Sequence, residues 1–226
     1  MDFPLTFNEE TVPLFCDELA KRDEKLGLII ERFGYPPCWK REPGFETLVY
    51  IILEQQVSLA SAKAAYDKLK EVLPVVTPEG FLLLDDATLR ASYFSRQKMI
   101  YTRHLASSVL NKTLDPLQFP SMSNDEIRTE LTKVKGIGNW TVDVYLMMAL
   151  NRTDLFPLGD VALIKSLKET EQVAEAASKE DLASLAMKWA PYQTIAAYLL
   201  WHNYLCLRKK KDQQLLVPVE KNYKFS

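Results

Sequence analysis

Glycine is scarce, with 7 residues in a chain of 226. Short-stranded sheets need glycine in their turns, so an all-β sandwich or barrel is disfavoured. The three cysteines, Cys16, Cys38 and Cys206, are odd in number and widely spaced, which fits reduced thiols in a reducing compartment. No CxxC pair occurs, which speaks against a cysteine zinc site or an iron–sulfur cluster. The two histidines, His104 and His202, are far apart. A histidine metal site would need other ligands, and a Ser-His-Asp triad has few ways to be built. No apolar run approaches the roughly 18 residues of a membrane span. Met1-Asp2-Phe3-Pro4 carries no basic region followed by an apolar core, so no secretory signal is expected. Positive charge is not in excess either: 28 Lys and Arg stand against 30 Asp and Glu, a formal net charge of −2. Phosphate neutralisation drives nucleic-acid affinity, so this balance argues against a nucleic-acid binder. It does not exclude one, because a basic face can coexist with an acidic back.

Hydrophobic residues make up 47% of the chain and charged residues 26%. That excludes global disorder and suits one globular unit or two lobes sharing a cleft. The pattern is helical. Phe45, Leu48, Val49 and Ile52 follow the i, i+3, i+4, i+7 spacing of one buried helical face, and Pro43-Gly44 marks its start. A break follows at Glu54-Gln55-Gln56-Val57. Ser58 suits the N-cap of an alanine-rich helix to about Leu73. Leu89–Leu110 reads as helix in two pieces and carries Arg90, Arg96, Lys98 and Arg103. Ser123–Glu126 and Ser178–Asp181 are capping-box patterns. Ile127, Leu131 and Val134 share one face of the helix that the first box opens. Pro191 suits the first turn of a last long helix ending near the Arg208–Lys211 basic run, and residues after Asp212 read as a loose tail.

Between helices lies Lys135-Gly136-Ile137-Gly138-Asn139-Trp140, where two glycines two apart predict a tight turn. The next helix is expected over about Thr141–Leu150. Helix, Gly-Ile-Gly turn, helix is an arrangement that binds phosphate: bare backbone N–H groups approach an anion, and the positive end of the second helix points the same way. Taken alone, a GxG is read more readily as a structural turn between two packed helices.

The run LTKVKGIGNWTVDVYLMMAL, followed by LFPLGDVALIK, resembles the helix-hairpin-helix DNA glycosylase superfamily, and within it the 3-methyladenine DNA glycosylase II branch. The resemblance takes in FETLVYIILEQQVSLASAKAAYDKL upstream, the region from Phe119-Pro120 onward, and WAPYQTIAAYLLW downstream. It implies an all-α fold of two lobes with a central cleft. One lobe would span 44–150 and hold the helix-hairpin-helix at about 125–150; the other would combine 1–43 with 151–226. It implies hydrolytic removal of alkylated purines of the 3-methyladenine and 7-methylguanine type from double-stranded DNA. The other readings kept open are a glycosylase for deaminated, mismatched or oxidised bases, and a non-catalytic damage-binding module.

The family's catalytic aspartate falls on Asp160, which is also a position where Asp commonly caps a helix. Trp140 stands where bifunctional relatives carry a Schiff-base lysine, which implies a monofunctional enzyme. Gln56, with Gln55, falls on the wedge loop that fills the gap left by a flipped base, although a polar interhelix turn reads equally well. The base pocket is expected to involve Trp201, Tyr192, Val144, Tyr145 and Trp140, with Tyr198 read as core and His202 as a partly buried helix residue. Lys135, Gly136, Ile137, Gly138, Thr141 and Lys165 are the expected phosphate contacts. Arg96, Lys98 and Arg103 are either a basic face or solvated surface. No catalytic metal or cofactor is implied; a structural monovalent cation at the hairpin is allowed. A monomer is expected, without membrane association, in the cytoplasm or, in a eukaryote, the nucleus.

Overall fold

A computed structural model describes residues 6–170, 172–174 and 176–215, with side chains to 209. Twelve α-helices and one 3-10 turn occur among the described residues, and no strand beyond an isolated bridge between Thr6 and Arg152. In chain order the helices are α1 (Thr11–Arg22), α2 (Glu24–Phe33), α3 (Phe45–Glu54), α4 (Leu59–Val72), α5 (Pro78–Leu83), α6 (Asp86–Ala91) and α7 (Arg96–Leu110). They continue as α8 (Asn124–Leu131), α9 (Asn139–Met148), α10 (Val161–Glu169), α11 (Lys179–Met187) and α12 (Gln193–Leu215). The chain forms two compact units. One holds Thr6, Phe7 and Trp39–Pro157; the other holds Asn8–Cys38 and the residues from Leu158 onward. Residues 39–43 and 151–157 therefore pack with α3–α9, outside the 44–150 span expected from sequence.

In the first unit α3 is the central element. The spacing predicts one apolar face, yet Phe45, Thr47, Leu48, Val49, Ile51, Ile52 and Leu53 are all buried. The reason is that α4, α7 and α9 cover it from several sides. Truncating one of its leucines to Ala would cost about 2–5 kcal/mol. At its end, Glu54 receives a bidentate pair from Arg41 at 2.9 and 2.6 Å. The Arg41 guanidinium also lies over the Tyr50 ring, 4.5 Å from its centre, and Tyr50 stacks on Tyr66. Ser58 caps α4 as expected, accepting from Ser61 N. Ser123 and Glu126 close the capping box of α8, and those bonds to Ser123 hold the Glu126 carboxyl below the usual carboxylate range.

In the second unit α12 is the buried axis. Every residue from Thr194 to Trp201 is buried, against α1, α2 and α10. Asn203 and Ser166, both buried, join α12 to α10 through an Nδ2–H···Oγ bond of 2.9 Å. Trp189 donates from Nε1 to Asp23 Oδ2 at 2.7 Å, and Asp23 Oδ1 caps α2. The capping box of α11 is present. Two expectations are corrected. Pro191 precedes α12, in a turn with a cis Ala190–Pro191 peptide, and the helix continues past Asp212 to Leu215. Residues 216–226 of the expected tail lie outside the described residues.

Candidate active site and phosphate-contact residues

The hairpin joins α8 to α9. Gly136 has φ +90°, and a Cβ there would stand 2.1–2.4 Å from the Tyr101 ring carbons. Two independent reasons, a backbone region costly to L-residues and an aromatic ring against the Cα, therefore require glycine. Gly138 differs. It is the N-cap of α9 with φ −108° and ψ 179°, and its missing Cβ faces open space. No side chain caps this helix end, an arrangement whose positive terminus suits an anion.

The structure sorts the other expected phosphate contacts. Lys135 is exposed, but its backbone N–H donates to His104 Nδ1 at 3.2 Å. Ile137 is buried, and its N–H donates to Val134 O. Thr141 is 2% exposed, and its hydroxyl accepts from Gln55 Nε2 at 3.0 Å. These three groups hold the turn together. Beneath it Arg128 bridges α8 to α9, donating to Asn139 Oδ1 at 3.1 Å and to Asp143 Oδ1 at 2.5 Å. Burial pushes the Asp143 carboxyl up, against the pull of Arg128. Lys165 lies exposed on α10, in the other unit.

The α3–α4 turn separates the two glutamines. Gln56 is exposed and left-handed, with φ +57°. Gln55 corrects the expectation that it could insert: its amide donates to Gly136 O at 2.9 Å as well as to Thr141.

The expected aromatic wall is thinned as well. Tyr145 is completely buried, meets Phe119 edge-on and accepts from Gly44 N at 3.0 Å. Its hydroxyl pKa is pushed up to about 12 by burial. Val144 is buried beside it. Both belong to the core, because α9 is enclosed by its own unit on that face. Tyr145→Phe should cost about 1 kcal/mol of stability, the worth of one hydrogen bond, measured by urea denaturation, and should leave catalysis unchanged. Trp140 is half-buried in the first turn of α9. Tyr192 stacks on Phe15 at 4.5 Å, with the Arg22 guanidinium 5.6 Å from its ring centre. His202 sits against Phe33 O at 3.1 Å. Of the basic candidates, Lys98 donates to Leu53 O in a part-buried bond, while Arg103 pairs with Asp86 at the solvated surface. Arg208 pairs with Glu169. The side chains of Lys210 and Lys211 lie outside the described residues.

Asp160 is the N-cap of α10 and half-buried. Its Oδ1 accepts from Ala162 N at 2.9 Å and Leu163 N at 3.0 Å, and from Trp201 Nε1 at 3.1 Å. Trp201 is itself 9% exposed and leans on Tyr198, which is buried as expected. The indole therefore fixes the carboxylate through its N–H, a contact the sequence does not announce because it spans 41 positions. One carboxylate held in this way, at a helix N-terminus whose field favours negative charge, is suited to facing a developing cation.

Residues 49–192 match the model of the HhH-GPD superfamily base excision DNA repair proteins. The chain belongs to the HhH-GPD superfamily. Its fold is the all-α DNA glycosylase fold. The matched span includes the α3–α4 turn, the hairpin and Asp160, while Trp201 lies beyond it. The protein YfjP of Bacillus subtilis is 30% identical over 186 residues, covering 79% of this chain and 65% of YfjP. DNA-3-methyladenine glycosylase 1 of Schizosaccharomyces pombe is 28% identical over 191 residues, 81% of this chain and 83% of the relative. Among solved structures, that of the S. pombe 3-methyladenine DNA glycosylase Mag1 in complex with abasic DNA superimposes with a TM-score of 0.76 at 26% identity. It covers 83% of this chain and 94% of that one. No helix of the described residues is long and apolar enough to cross a membrane.

Proposed function

We propose that this HhH-GPD protein is a monofunctional glycosylase that hydrolyses the N-glycosidic bond of alkylated purines in double-stranded DNA, with Asp160 as its catalytic residue. The observation that carries the reading is the Asp160 carboxylate itself, with Oδ1 held by two backbone N–H groups and the Trp201 indole. Cleavage of the glycosidic bond builds oxocarbenium character on deoxyribose. A fixed carboxylate stabilises that charge and can orient or deprotonate the attacking water. Glycoside hydrolases usually add a second carboxyl to protonate the leaving group. An N-alkylated purine is already cationic and leaves without one, so a single carboxylate suffices. Trp140 has no amine to attack the sugar, so the product is an abasic site in an uncut strand.

The target base must leave the duplex to react. The uncapped end of α9, opened by Gly138, serves as the phosphate contact, with Lys135 adding charge. A monovalent cation at the turn would be held by backbone carbonyls. Val134 O and Gly136 O already accept from Ile137 N and Gln55 Nε2 and would coordinate through their remaining lone pairs. No step of the reaction passes through it. Gln56 serves as the wedge, and its left-handed backbone supports this. A non-glycine residue there costs about 1–2 kcal/mol, which a plain interhelix turn would relieve with glycine. Gln56→Gly should therefore keep or raise thermal stability while base release from paired duplex falls. Stability lost together with release would contradict the wedge. The whole reading is tested by base release from methylated duplex DNA.

A further inference from the structure

Gln55 Nε2 has two hydrogens, and both are used. One goes to Gly136 O at 2.9 Å and the other to Thr141 Oγ1 at 3.0 Å. An amide turned the other way would set its oxygen against the Gly136 carbonyl, so the orientation is determined. The side chain starts at the C-cap of α3 and ends on the hairpin and the first turn of α9. It thus ties the turn that presents Gln56 to the element whose N-terminus no side chain caps.

A second route joins the same two elements. Lys98, Tyr101 and His104 recur every three residues along α7. Lys98 Nζ donates to Leu53 O at 2.6 Å, at the end of α3. The Tyr101 ring lies against Gly136, and His104 Nδ1 accepts from Lys135 N. The α3–α4 turn and the hairpin are therefore braced by α7 along one side and by Gln55 directly.

On the glycosylase reading above, we infer that Gln55 is a positioning residue: it holds the Gln56 turn in register with the phosphate-binding end of α9, so that gripping the backbone and filling the gap left by the flipped base are one mechanical act. The consequence concerns base extrusion rather than bond cleavage. It should appear where the target base must be pulled from a stacked pair and fade where the base is already unpaired.

The test uses Gln55→Leu, which keeps bulk and removes both donors. Single-turnover release of 7-methylguanine is followed from a fully paired duplex and from one with an abasic site opposite the lesion. The paired substrate should lose about tenfold and the unpaired one less than about threefold. Asp160→Asn should lose equally on both. Equal losses for Gln55→Leu, or no loss on either, would overturn the inference. If Gln55→Leu does not fold, Thr141→Val removes one acceptor at nearly constant volume and should give a smaller split in the same direction. A wild type that releases no base removes the glycosylase reading alone. The inference then rests on preference for abasic-site duplex over intact duplex, which Gln55→Leu should reduce about tenfold. A wild type without that preference, or a variant that keeps it, would overturn it.

Discussion

Asp160→Asn is expected to lose at least roughly a hundredfold in the rate of base release, because one fixed charge facing the transition state is removed. The substitution separates chemistry from folding. Asn keeps an oxygen where Oδ1 accepts from Ala162 N, Leu163 N and Trp201 Nε1, so the α10 cap and the tie to α12 can persist. A neutral acceptor holds these donors less strongly than a carboxylate. A stability loss of about 1 kcal/mol, or roughly 2–4 °C in melting temperature, is expected. Duplex binding should be kept, since a negative charge is removed from a protein that meets phosphates. Asp160→Ala would lose both the cap and the charge and cannot separate them. A variant that folds, binds and still releases base at the wild-type rate would place the chemistry elsewhere.

Gly136→Ala should be the most destabilising single methyl in the hairpin. At φ +90° an L-residue costs about 1–2 kcal/mol, and its Cβ would drive into the Tyr101 ring at 2.1 Å, which adds about 1–3 kcal/mol of overpacking. The melting temperature should drop by about 4–20 °C. Gly138→Ala, two residues on, is the control. Its backbone is extended and nothing lies within 4 Å of the new methyl, so stability should change by less than about 0.5 kcal/mol. Its effect belongs to DNA: a methyl at the open N-cap stands in the path of a phosphate, so KM should rise with kcat little changed. Adding Tyr101→Ala to Gly136→Ala should recover the contact part of the loss and leave the backbone part, a coupling that a double-mutant cycle reads directly. Equal thermal losses for the two glycines would contradict this division of labour.

Much of the molecule is legible in the chain because it rests on local chemistry. Capping boxes at Ser123 and Ser178, the cap at Ser58, the break after Glu54 and the Gly-Ile-Gly turn are all signalled within a few residues. The position of Asp160 came from resemblance, since an Asp before a helix is by itself an ordinary cap. What was not legible depends on partners far along the chain. Tyr101 against Gly136, His104 on Lys135 N and Gln55 on Gly136 O have no local signature. Residue type misled at Tyr145 and Thr141, both of which the fold buries and uses internally. The same holds for Lys98, a positive charge spent on Leu53 O, whereas Arg103 pairs with Asp86 at the surface. The near-neutral composition is compatible with the proposed phosphate contact because that contact would use a helix end and a bare glycine, neither of which adds to the formal charge.

The most direct measurement is release of free base from methylated duplex DNA by the unmodified protein. Chromatography resolves 3-methyladenine and 7-methylguanine, and a gel reports strand integrity. The account predicts that both bases appear and that the strand stays intact until abasic sites are cleaved by alkali. Binding without release of either base would contradict the assignment to alkylated purines. Base release accompanied by strand cleavage would contradict the consequence drawn from Trp140.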